Sequence, residues 1–554
     1  MTRDPLEGLD PQQRLAAETL LGPVVLLAGA GTGKTRAITH RIAHGVASGV
    51  YSPGRVMVLS FTNRAAGEAR SRLKALGAEG VASRTFHSAA LSQLSHFWPD
   101  VAGGSLPSIL TQKARLIADA ARTVKLRLDT ATLRDLASEI EWRKVSGLTL
   151  DEYATAGRVL PPSITLDAAL DVHRAYEQLK DERRQLDFED VLLACAGMIE
   201  SEPRVADHVR AQYRFFVVDE YQDVSPAQQR LLDLWLGERN DVCVVGDASQ
   251  TIYSFAGARP EYLLGFERRY PGAAVIRLES NYRSTVSIVE TANRLMRDRG
   301  GALELRSIAA ESGAKPTFDA FPTDTAEARA VASRIVEQLK AGTRASDIAV
   351  LYRMNVQSAP LVAALADVGV SSVQRGGVRF FDEPDVKRAI LMLRGATIVD
   401  SDEPLFKTVS DVLRTLGWTQ EPPPSGGAVR ERWESLNAIM GMAEAQPPGA
   451  TIRTFVDELS DAAASHDEPT REAVTLATLH TAKGLEWHTV HLVGVSEGLI
   501  PISYATTPEA LEEERRLLYV GITRARQRLH LSWSLSSQRG ERAPSRFLAE
   551  LGQL

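Results

Sequence analysis

The stretch Val24–Ile42, VVLLAGAGTGKTRAITHRI, decides the fold class. Val24–Leu27 are apolar and predict a buried strand, Ala28–Gly33 form a turn of small residues, and Lys34-Thr35 begin a helix. Glycines let backbone N–H groups point at phosphate oxygens, and the helix N-terminus adds partial positive charge. The pattern is that of a P-loop with alanine in place of its first glycine. The sequence therefore predicts a nucleotide-phosphate site between a parallel strand and a helix.

Two adjacent carboxylates follow a second apolar run. Phe215–Val218 predict another buried strand, and Asp219 and Glu220 stand at its end. Charges there cost desolvation free energy unless a cation pairs with them, which favours a functional pair over a solvated acidic turn. We expect Asp219 to hold Mg²⁺ through water and the Thr35 hydroxyl to bind it. Glu220 is then placed to orient and deprotonate the attacking water.

The composition is that of a large globular protein. The chain has 554 residues, with 44% hydrophobic and 24% charged, and this length suggests roughly three or four domains. The N-terminal residues are polar and no apolar run approaches ~20 residues, so we expect no signal peptide, no membrane span and a cytoplasmic location. Cys195 and Cys243 lie in apolar contexts and are expected in the core. The net charge of −6 excludes a basic coat but permits a local nucleic-acid groove.

Further segments follow in a fixed order: LDPQQRLAA, LSFTNRAAGEARSRL, RTFHSAA, LDFEDVLL, VVGDASQTIYSFAGA, LESNYRST, AVLYRMNVQS, GGVRFFDEPDVK, TLATLHTAKGLEW and EEERRLLYVGITRAR. Together with the P-loop and the acidic strand end, they resemble UvrD/Rep-type superfamily 1A DNA helicases, in particular the compact UvrD-like helicases of actinobacteria. The cysteine-rich linker and helical C-terminal domain of that subgroup are not found in the sequence. The resemblance implies an α/β fold with two RecA-like P-loop motor domains, each a parallel sheet flanked by helices and interrupted by a mainly helical insertion.

The resemblance implies a full set of ATP contacts. The phosphate cradle would comprise Ala28, Gly29, Ala30, Gly31, Thr32, Gly33, Lys34 and Thr35. The base and ribose would meet Gln13, Arg36, Tyr282 and Glu486. The hydrolytic groups would be Lys34, Asp219, Glu220, Gln250, Arg283 and Arg524. The two arginines would come from the second motor half, because a forked, permanently charged guanidinium suits phosphate oxygens. A helix-surface position for Arg524, and plain packing for Gln250 and Tyr282, are the alternatives.

A single-stranded DNA track is implied in the same way, since bases stack on aromatic faces without regard to sequence. The residues that match the family's track are Phe61, Thr62, Asn63, Arg64, Thr85, Phe86, His87, Tyr253, Phe255, Tyr352, Arg353, Asn355 and His480. Phe255 stands where many relatives have tryptophan, and Ala256 where many have arginine. Core packing is the alternative for Phe61 and Phe86. A metal role for His480 is disfavoured, because no second ligand lies at a suitable spacing.

The motif order also predicts the domain organisation. The expected limits are 1–88 with 187–279 for motor domain 1A, 89–186 for helical insertion 1B, 280–394 with 471–554 for motor domain 2A, and 395–470 for a shortened insertion 2B. Within the last stretch, TQEPPPSGGAVRERW predicts a turn or linker.

The expected function is ATP-dependent 3′–5′ unwinding of DNA, or translocation on it, in repair, replication or recombination. Expected partners are single-stranded DNA and junctions with duplex DNA, together with a repair or replication protein, and a monomer is expected. A translocase that strips proteins without robust unwinding is one alternative. A nucleotide-dependent binding switch is another, disfavoured by the complete hydrolytic set. An RNA helicase stays open, because backbone contacts alone do not separate the two nucleic acids.

Overall fold

The computed structural model describes residues 4–161, 163–309, 312–375, 381, 383–397, 404–421, 423, 428–444, 446–447, 449–464, 473–537 and 540–552. Parts of two predicted segments, GGVRFFDEPDVK and TQEPPPSGGAVRERW, lie outside these residues. The chain divides into two compact units, one of Met1–Tyr282 with Arg297–Ile308 and one of Arg283–Met296 with Ala309–Leu554.

The first unit is built on a six-stranded, all-parallel sheet of order β3-β2-β6-β7-β1-β8. The strands of this unit are β1 (Val24–Ala28), β2 (Val56–Ser60), β3 (Ala82–Thr85), β4 (Ser108–Ile109), β5 (Gln185–Leu186), β6 (Phe215–Val218), β7 (Val242–Gly246), β8 (Ala274–Leu278), β9 (Ser280–Asn281) and β10 (Arg306–Ser307). Parallel strands bring their carboxyl ends to one edge, so the residues that follow β1, β6 and β7 meet there.

Helices cover both faces of this sheet. The helices of the unit are α1 (Pro11–Glu18), α2 (Lys34–Ala47), α3 (Asn63–Ala75), α4 (Phe86–Val101), α5 (Lys113–Thr123), α6 (Thr130–Val145), α7 (Leu150–Thr155), α8 (Leu166–Glu182), α9 (Phe188–Ser201), α10 (Pro203–Gln212), α11 (Pro226–Leu236), α12 (Glu261–Leu264) and α13 (Phe266–Arg269), and not all of them pack on the sheet. Alternate residues of β1 enter different cores: Val25 packs on the side of α4, α9, α10 and α11, whereas Val24 and Leu26 pack on the side of α1 and α2.

Helices α5, α6 and α8 share a separate hydrophobic core that includes Ile117, Leu136 and Tyr176. Helix α4, by contrast, contributes Phe86 and Leu94 to the core under the sheet. The independent helical core therefore begins after α4, while the predicted limits of insertion 1B stay a prediction.

The second unit contains another six-stranded parallel sheet, of order β11-β16-β15-β12-β14-β13. The strands of this sheet are β11 (Thr317–Phe321), β12 (Ile348–Tyr352), β13 (Ser372–Arg375), β14 (Val474–Thr478), β15 (Trp487–Leu492) and β16 (Ala525–Ser534), and a separate antiparallel pair is formed by β17 (Ser536–Ser537) and β18 (Gly540–Glu541). The predicted fold class, two parallel-sheet α/β domains flanked by helices, is confirmed.

The helices of the second unit are α14 (Val286–Leu295), α15 (Asp324–Lys340), α16 (Ser358–Asp367), α17 (Pro384–Ala396), α18 (Leu405–Thr415), α19 (Ala428–Glu444), α20 (Ile452–Ala464), α21 (Pro508–Ile522) and α22 (Arg546–Glu550). Helices α17–α20, which lie between β13 and β14 in sequence, have a core of their own around Trp433, Leu436 and Phe455. Over the part of the chain that is described, no helix has both the length and the apolar character needed to span a membrane.

Candidate active site and nucleic-acid platform

The P-loop lies between β1 and α2, as the sequence predicts. Gly33 adopts a left-handed conformation with φ of +79° directly before Lys34, and a Cβ at this position would lie 2.8 Å from Gln13 Nε2. Only glycine avoids both the strain and the close approach. Position 33 of the turn therefore requires glycine.

Each carbonyl oxygen of residues 29–32 accepts a hydrogen bond. The donors are Thr32 Oγ1 to Gly29 (2.9 Å), Asn281 Nδ2 to Ala30 (2.7 Å), the Tyr282 amide to Gly31 (2.8 Å) and Gln13 Nε2 to Thr32 (3.0 Å). The Thr32 amide donates to the Gly29 carbonyl (3.4 Å). Because C=O and N–H point in opposite directions across a peptide plane, the bonds to the Gly29, Ala30 and Thr32 carbonyls turn the N–H groups of the residues that follow them the other way. That is the orientation required to bind phosphate oxygens.

Lys34 and Glu220 form an ion pair at the carboxyl edge of the sheet, with 3.2 Å between Nζ and Oε1. Glu220 has a φ of +52°, a strained value for a residue with a side chain. Its amide donates to Asp219 Oδ1 (2.9 Å), and its carbonyl accepts from the Asp223 amide (2.9 Å). The strained backbone is thus held from both sides, which directs the Glu220 carboxylate toward Lys34.

The pKa values at this edge reflect burial first and the charges of the neighbouring groups second. Burial, followed by the charge of Glu220, raises the pKa of Asp219 to about 7. Burial also raises the pKa of Asp247, which follows β7. For Lys34, burial acts to lower the pKa, but Glu220, Asp247 and Asp219 together raise it above its ordinary value. Three carboxylates thus surround one ammonium group.

A chain of side-chain hydrogen bonds leads away from this ion pair. Gln222 Nε2 donates to Glu220 Oε2 (2.5 Å), and Gln222 Oε1 accepts from the Asp247 amide (3.0 Å). Gln250 Nε2 donates to Asp247 Oδ2 (2.7 Å). Glu220, Gln222, Asp247 and Gln250 therefore form one path, which we call the carboxyl-edge relay. Gln250, predicted to contact the γ-phosphate, is the far end of it.

The residues predicted to bind the base are also close together in the first unit. Asp10 caps α1 by accepting from the Gln13 amide (2.7 Å), and it accepts from the Tyr282 hydroxyl (2.5 Å). The pKa of Tyr282 is raised to about 12 by partial burial and then by Asp10. Arg36 Nη2 donates to the carbonyl of Gly8 (2.7 Å). Asp10 thus connects two predicted base contacts.

The predicted phosphate-binding arginines are engaged within the second unit. Arg283 Nε donates to Glu486 Oε2 (2.5 Å). Glu486, which is predicted to bind the ribose, therefore neutralises the charge of Arg283, which is predicted to bind phosphate. Arg524 is 2% exposed and donates to the carbonyls of Val520 (2.8 Å) and Leu485 (3.2 Å). The helix-surface alternative for Arg524 is therefore wrong.

Three of the predicted DNA-track residues form an aromatic platform in the first unit. The rings of Phe61 and Tyr253 are nearly parallel with centroids 5.5 Å apart, and Phe255 meets Tyr253 edge-on at 6.1 Å. Phe61 is 44% exposed and Phe255 59% exposed. Tyr253, the central ring of this platform, lies three residues after Gln250, where the carboxyl-edge relay ends.

Three other residues of the predicted track have packing or capping contacts in the structure, and the two aromatic ones among them are buried. Phe86 is 4% exposed and stacks on Trp235 in the core. Tyr352 is buried in the core of the second unit. Thr85 caps α4 by accepting from the Ser88 amide (3.2 Å). The Phe86 and Tyr352 rings therefore offer no exposed surface for base stacking, while a DNA contact by Thr85 stays a prediction.

The remaining track residues of the first unit lie at or near its surface. Thr62 caps α3, and Asn63 is the first residue of that helix. Arg64 is exposed and pairs with Glu68 (3.1 Å). His87 lies edge-on to Phe188, and burial and then Lys113 lower its pKa.

In the second unit, Arg353 forms an ion pair with Glu514 (2.8 Å). Asn355 begins a short turn after β12, and its carbonyl accepts from Ser358 Oγ (2.7 Å). The pKa of His480 is lowered to about 3, first by burial and then by Arg353 and Lys483. In the described ranges, no group of three or more His, Cys, Asp or Glu side chains is arranged to hold a metal ion.

Comparison with known families agrees with this arrangement. The UvrD/REP helicase N-terminal domain matches residues 9–271, and the UvrD-like helicase C-terminal domain matches residues 276–420 and 431–536. The chain belongs to the UvrD/REP helicase family.

Relatives in this family align over nearly the whole chain. ATP-dependent DNA helicase UvrD2 of Mycobacterium tuberculosis is 47% identical over 98% of this chain and 82% of its own length. ATP-dependent DNA helicase UvrD1 of the same organism is 30% identical over 99% of this chain and 85% of its own length. ATP-dependent DNA helicase PcrA of Bacillus subtilis is 28% identical, with coverages of 99% and 86%.

The carboxyl edge fits the magnesium nucleotide that a UvrD/REP helicase implies. Asp219, Glu220 and Asp247 together carry more negative charge than Lys34 offsets, and two of them have raised pKa values. A divalent cation that arrives with a triphosphate would offset this excess. Asp219 and the Thr35 hydroxyl are the residues that would hold it.

Four residues that hydrogen-bond to the candidate site of this UvrD/REP helicase were missed by the sequence-based assignment. They are Asp10, Gln222, Asp247 and Asn281. Asp247 had a usable signal, because it follows an apolar strand in the same way as Asp219. The other three act through hydrogen bonds to side chains or carbonyls that the sequence pattern does not place.

Proposed function

We propose that this chain is an ATP-dependent 3′–5′ DNA helicase and single-stranded DNA translocase that acts in DNA repair, replication or recombination. One observation carries the proposal: the carboxyl-edge relay runs from the Lys34–Glu220 ion pair at the P-loop to Gln250, three residues before the aromatic platform. A path of this kind links phosphate binding to the strand contact. A motor needs that link, whereas an ATPase without a track does not.

ATP hydrolysis is assigned to the groups at the carboxyl edge. Phosphate oxygens compete with Glu220 for the Lys34 ammonium, because a triphosphate carries more charge than one carboxylate. Glu220 is then released to orient a water and to accept its proton, while Gln222 holds the other carboxylate oxygen. Gln250 responds through Asp247.

Asp219, through water, and the Thr35 hydroxyl would hold Mg²⁺, which would supply positive charge near the transferring phosphoryl group. Gln13, Arg36 and Tyr282 are assigned to the base. Arg283 and Arg524 are assigned to the γ-phosphate, and each must first leave its present partners, Glu486 for Arg283 and the backbone carbonyls for Arg524.

The platform Phe61–Tyr253–Phe255 is assigned to base stacking on single-stranded DNA, with Thr62, Asn63, Arg64 and His87 nearby in sequence or structure. Arg353, Asn355 and His480 are assigned to the strand on the second unit. We assign the predicted 1A, 1B, 2A and 2B limits to the domains of this motor. It acts as a cytoplasmic monomer at junctions of single-stranded and duplex DNA, with a repair or replication protein as partner.

The first test is steady-state ATP hydrolysis with Mg²⁺, with and without a single-stranded DNA oligonucleotide. We expect strong stimulation by DNA, weaker stimulation by RNA of the same sequence, and loss of turnover with retained nucleotide binding in Glu220→Gln. Fast hydrolysis that ignores DNA contradicts the proposed link. Nucleotide binding without hydrolysis in the wild-type protein favours the switch alternative.

A second assay separates a helicase from a translocase that only strips proteins. Duplexes with a 3′ or a 5′ single-stranded tail are compared for strand separation, in parallel with displacement of a bound protein from single-stranded DNA. Strand separation that requires the 3′ tail supports the helicase. The alternative rests on the shortness of the predicted insertion 2B, residues 395–470, since a shorter insertion would have less surface for contact with a duplex. Protein displacement without strand separation would favour that alternative.

A further inference from the structure

Asn281 stands directly behind the P-loop and has no role in the chemistry assigned so far. Its side chain is buried, and Nδ2 donates to the carbonyl oxygen of Ala30 at 2.7 Å. The next residue, Tyr282, donates its amide to the carbonyl oxygen of Gly31 at 2.8 Å. Two consecutive residues thus hold two consecutive carbonyls of the cradle.

Asn281 is itself fixed by a small piece of sheet. Strand β9 pairs in parallel with β10, where Ser307 lies opposite Asn281, and the Ile308 amide donates to the Asn281 carbonyl (3.0 Å). Leu305, just before β10, covers Gly29 so closely that a Cβ there would lie 2.2 Å from Leu305 Cδ2. The support behind the P-loop is therefore ordered and tightly packed.

The Ala30–Gly31 peptide is the part of the cradle that most needs this support. Gly31 has a φ of +71° and, as glycine, can adopt many other conformations. If the peptide turned over, its carbonyl dipole would face the phosphate in place of its N–H group. A carbonyl oxygen repels an anion, so one rotated peptide converts a favourable contact into an unfavourable one.

We propose that Asn281 is a positioning residue for ATP binding, which holds the Ala30–Gly31 peptide in its phosphate-binding orientation before the nucleotide arrives. The inference rests on the proposed function, and it adds a binding determinant outside the P-loop sequence itself. Asn281 bonds to a backbone carbonyl and not to a reacting atom. Its loss therefore weakens nucleotide binding, whereas the rate at saturating ATP is set by other groups.

The test compares Asn281→Asp, which keeps the shape but cannot donate when ionised, with Asn281→Ala. For both variants we expect the Kd for a fluorescent ADP and the KM for ATP to rise about tenfold. We expect kcat with saturating ATP and single-stranded DNA to stay within about threefold of the wild type, and DNA affinity without nucleotide to be unchanged. Ser280→Ala, on the same strand, is the matched control and should match the wild type in every measurement.

Kd and KM values within twofold of the wild type in both Asn281 variants would overturn the proposal, as would a fall in kcat with KM unchanged. Thermal unfolding with and without ADP identifies a misfolded variant, and Asn281→Ala then carries the test if Asn281→Asp does not fold. The Kd measurement does not require turnover. A wild type that binds the fluorescent ADP but hydrolyses nothing would refute the proposed function and still leave the role of Asn281 open to this comparison.

Discussion

Arg524 is the site residue whose surroundings differ most from its implied role. Its guanidinium is buried and donates to the Val520 and Leu485 carbonyls and to Thr523 Oγ1 (3.0 Å). Arg524→Ala removes these three buried hydrogen bonds, although Thr523 Oγ1 still donates to the Val520 carbonyl (3.0 Å), and we expect a cost of about 1–3 kcal/mol in the free energy of unfolding. We therefore expect this variant to lose both ATP turnover and thermal stability while it retains nucleotide binding.

The matched control for this prediction is Arg526→Ala. Arg526 lies two residues further along and is largely exposed, with Glu486 at 3.9 Å as a loose partner. We expect its unfolding free energy to stay within about 0.5 kcal/mol of the wild type. Unfolding midpoints that coincide for Arg524→Ala and the wild type would contradict the structural part of the argument.

Single residues also mark the limit of what the sequence predicts. Asp219, Glu220 and Lys34 were predictable, because a buried strand that ends in acid and a glycine-rich turn each have few alternative explanations. Phe86 and Tyr352 were not, since an aromatic residue next to a motif has the same signature whether it stacks on a base or on Trp235. Whether an aromatic ring is exposed depends on the tertiary structure, and the motif sequence alone does not indicate it.

At the scale of elements, the strands were easier to predict than the parts around them. The apolar runs of β1, β6 and β7 are four or five residues long and wholly or nearly buried, as expected for a parallel sheet with both faces covered. The two-residue strands β9 and β10 have no such pattern. The pair nevertheless supports the P-loop, so the elements that complete the site are those with the weakest sequence signal.

The aromatic platform is the element whose function is most directly testable. Phe255 is its most exposed ring, and base stacking contributes about 1–3 kcal/mol per base. We expect Phe255→Ala to weaken binding of single-stranded DNA by about fivefold to a hundredfold. The ATPase rate without DNA should stay unchanged, because Phe255 lies outside the carboxyl-edge relay. Fluorescence anisotropy of a labelled oligonucleotide measures the affinity.

Phe406→Ala provides the control for the platform. Phe406 lies on α18 of the second unit and is 55% exposed, so its removal deletes a similar area of apolar surface. We expect unchanged DNA affinity in this variant. Equal weakening by Phe255→Ala and Phe406→Ala would mean that the loss reflects general surface hydrophobicity and not a stacking site.

At the scale of the whole molecule, two histidines in the second sheet contribute to the loss of stability in acid. His491 and His530 stack with centroids 4.7 Å apart, and both hydrogen-bond to Gln338. Burial and then Arg334 lower the pKa of His530 to about 4. Burial, His530 and Arg334 lower that of His491 well below its ordinary value. Both are therefore neutral in the folded protein at pH 7.

The sign of the effect follows from proton linkage. Below pH about 6.5 the unfolded chain binds protons on these histidines that the folded protein does not bind, so stability falls as pH falls toward about 4. Each histidine contributes a slope of up to about 1.4 kcal/mol per pH unit in this window. We expect urea unfolding of the wild type to report this loss between pH 7 and pH 5, and His530→Gln to reduce the slope by about one proton.

Glu327, a buried acid in the same unit, changes the pH dependence of stability in the opposite direction, so its effect has to be measured apart from that of the histidines. Burial raises the pKa of Glu327 to about 7, although Ser532 Oγ and the Gly494 amide both donate to Oε1. A raised acid stabilises the fold at low pH and loses that contribution as pH rises through about 7. Glu327→Gln should therefore steepen the acid loss that the wild type shows, while His530→Gln flattens it. If both variants shift the slope in the same direction, the histidine pair is not the origin of the pH dependence.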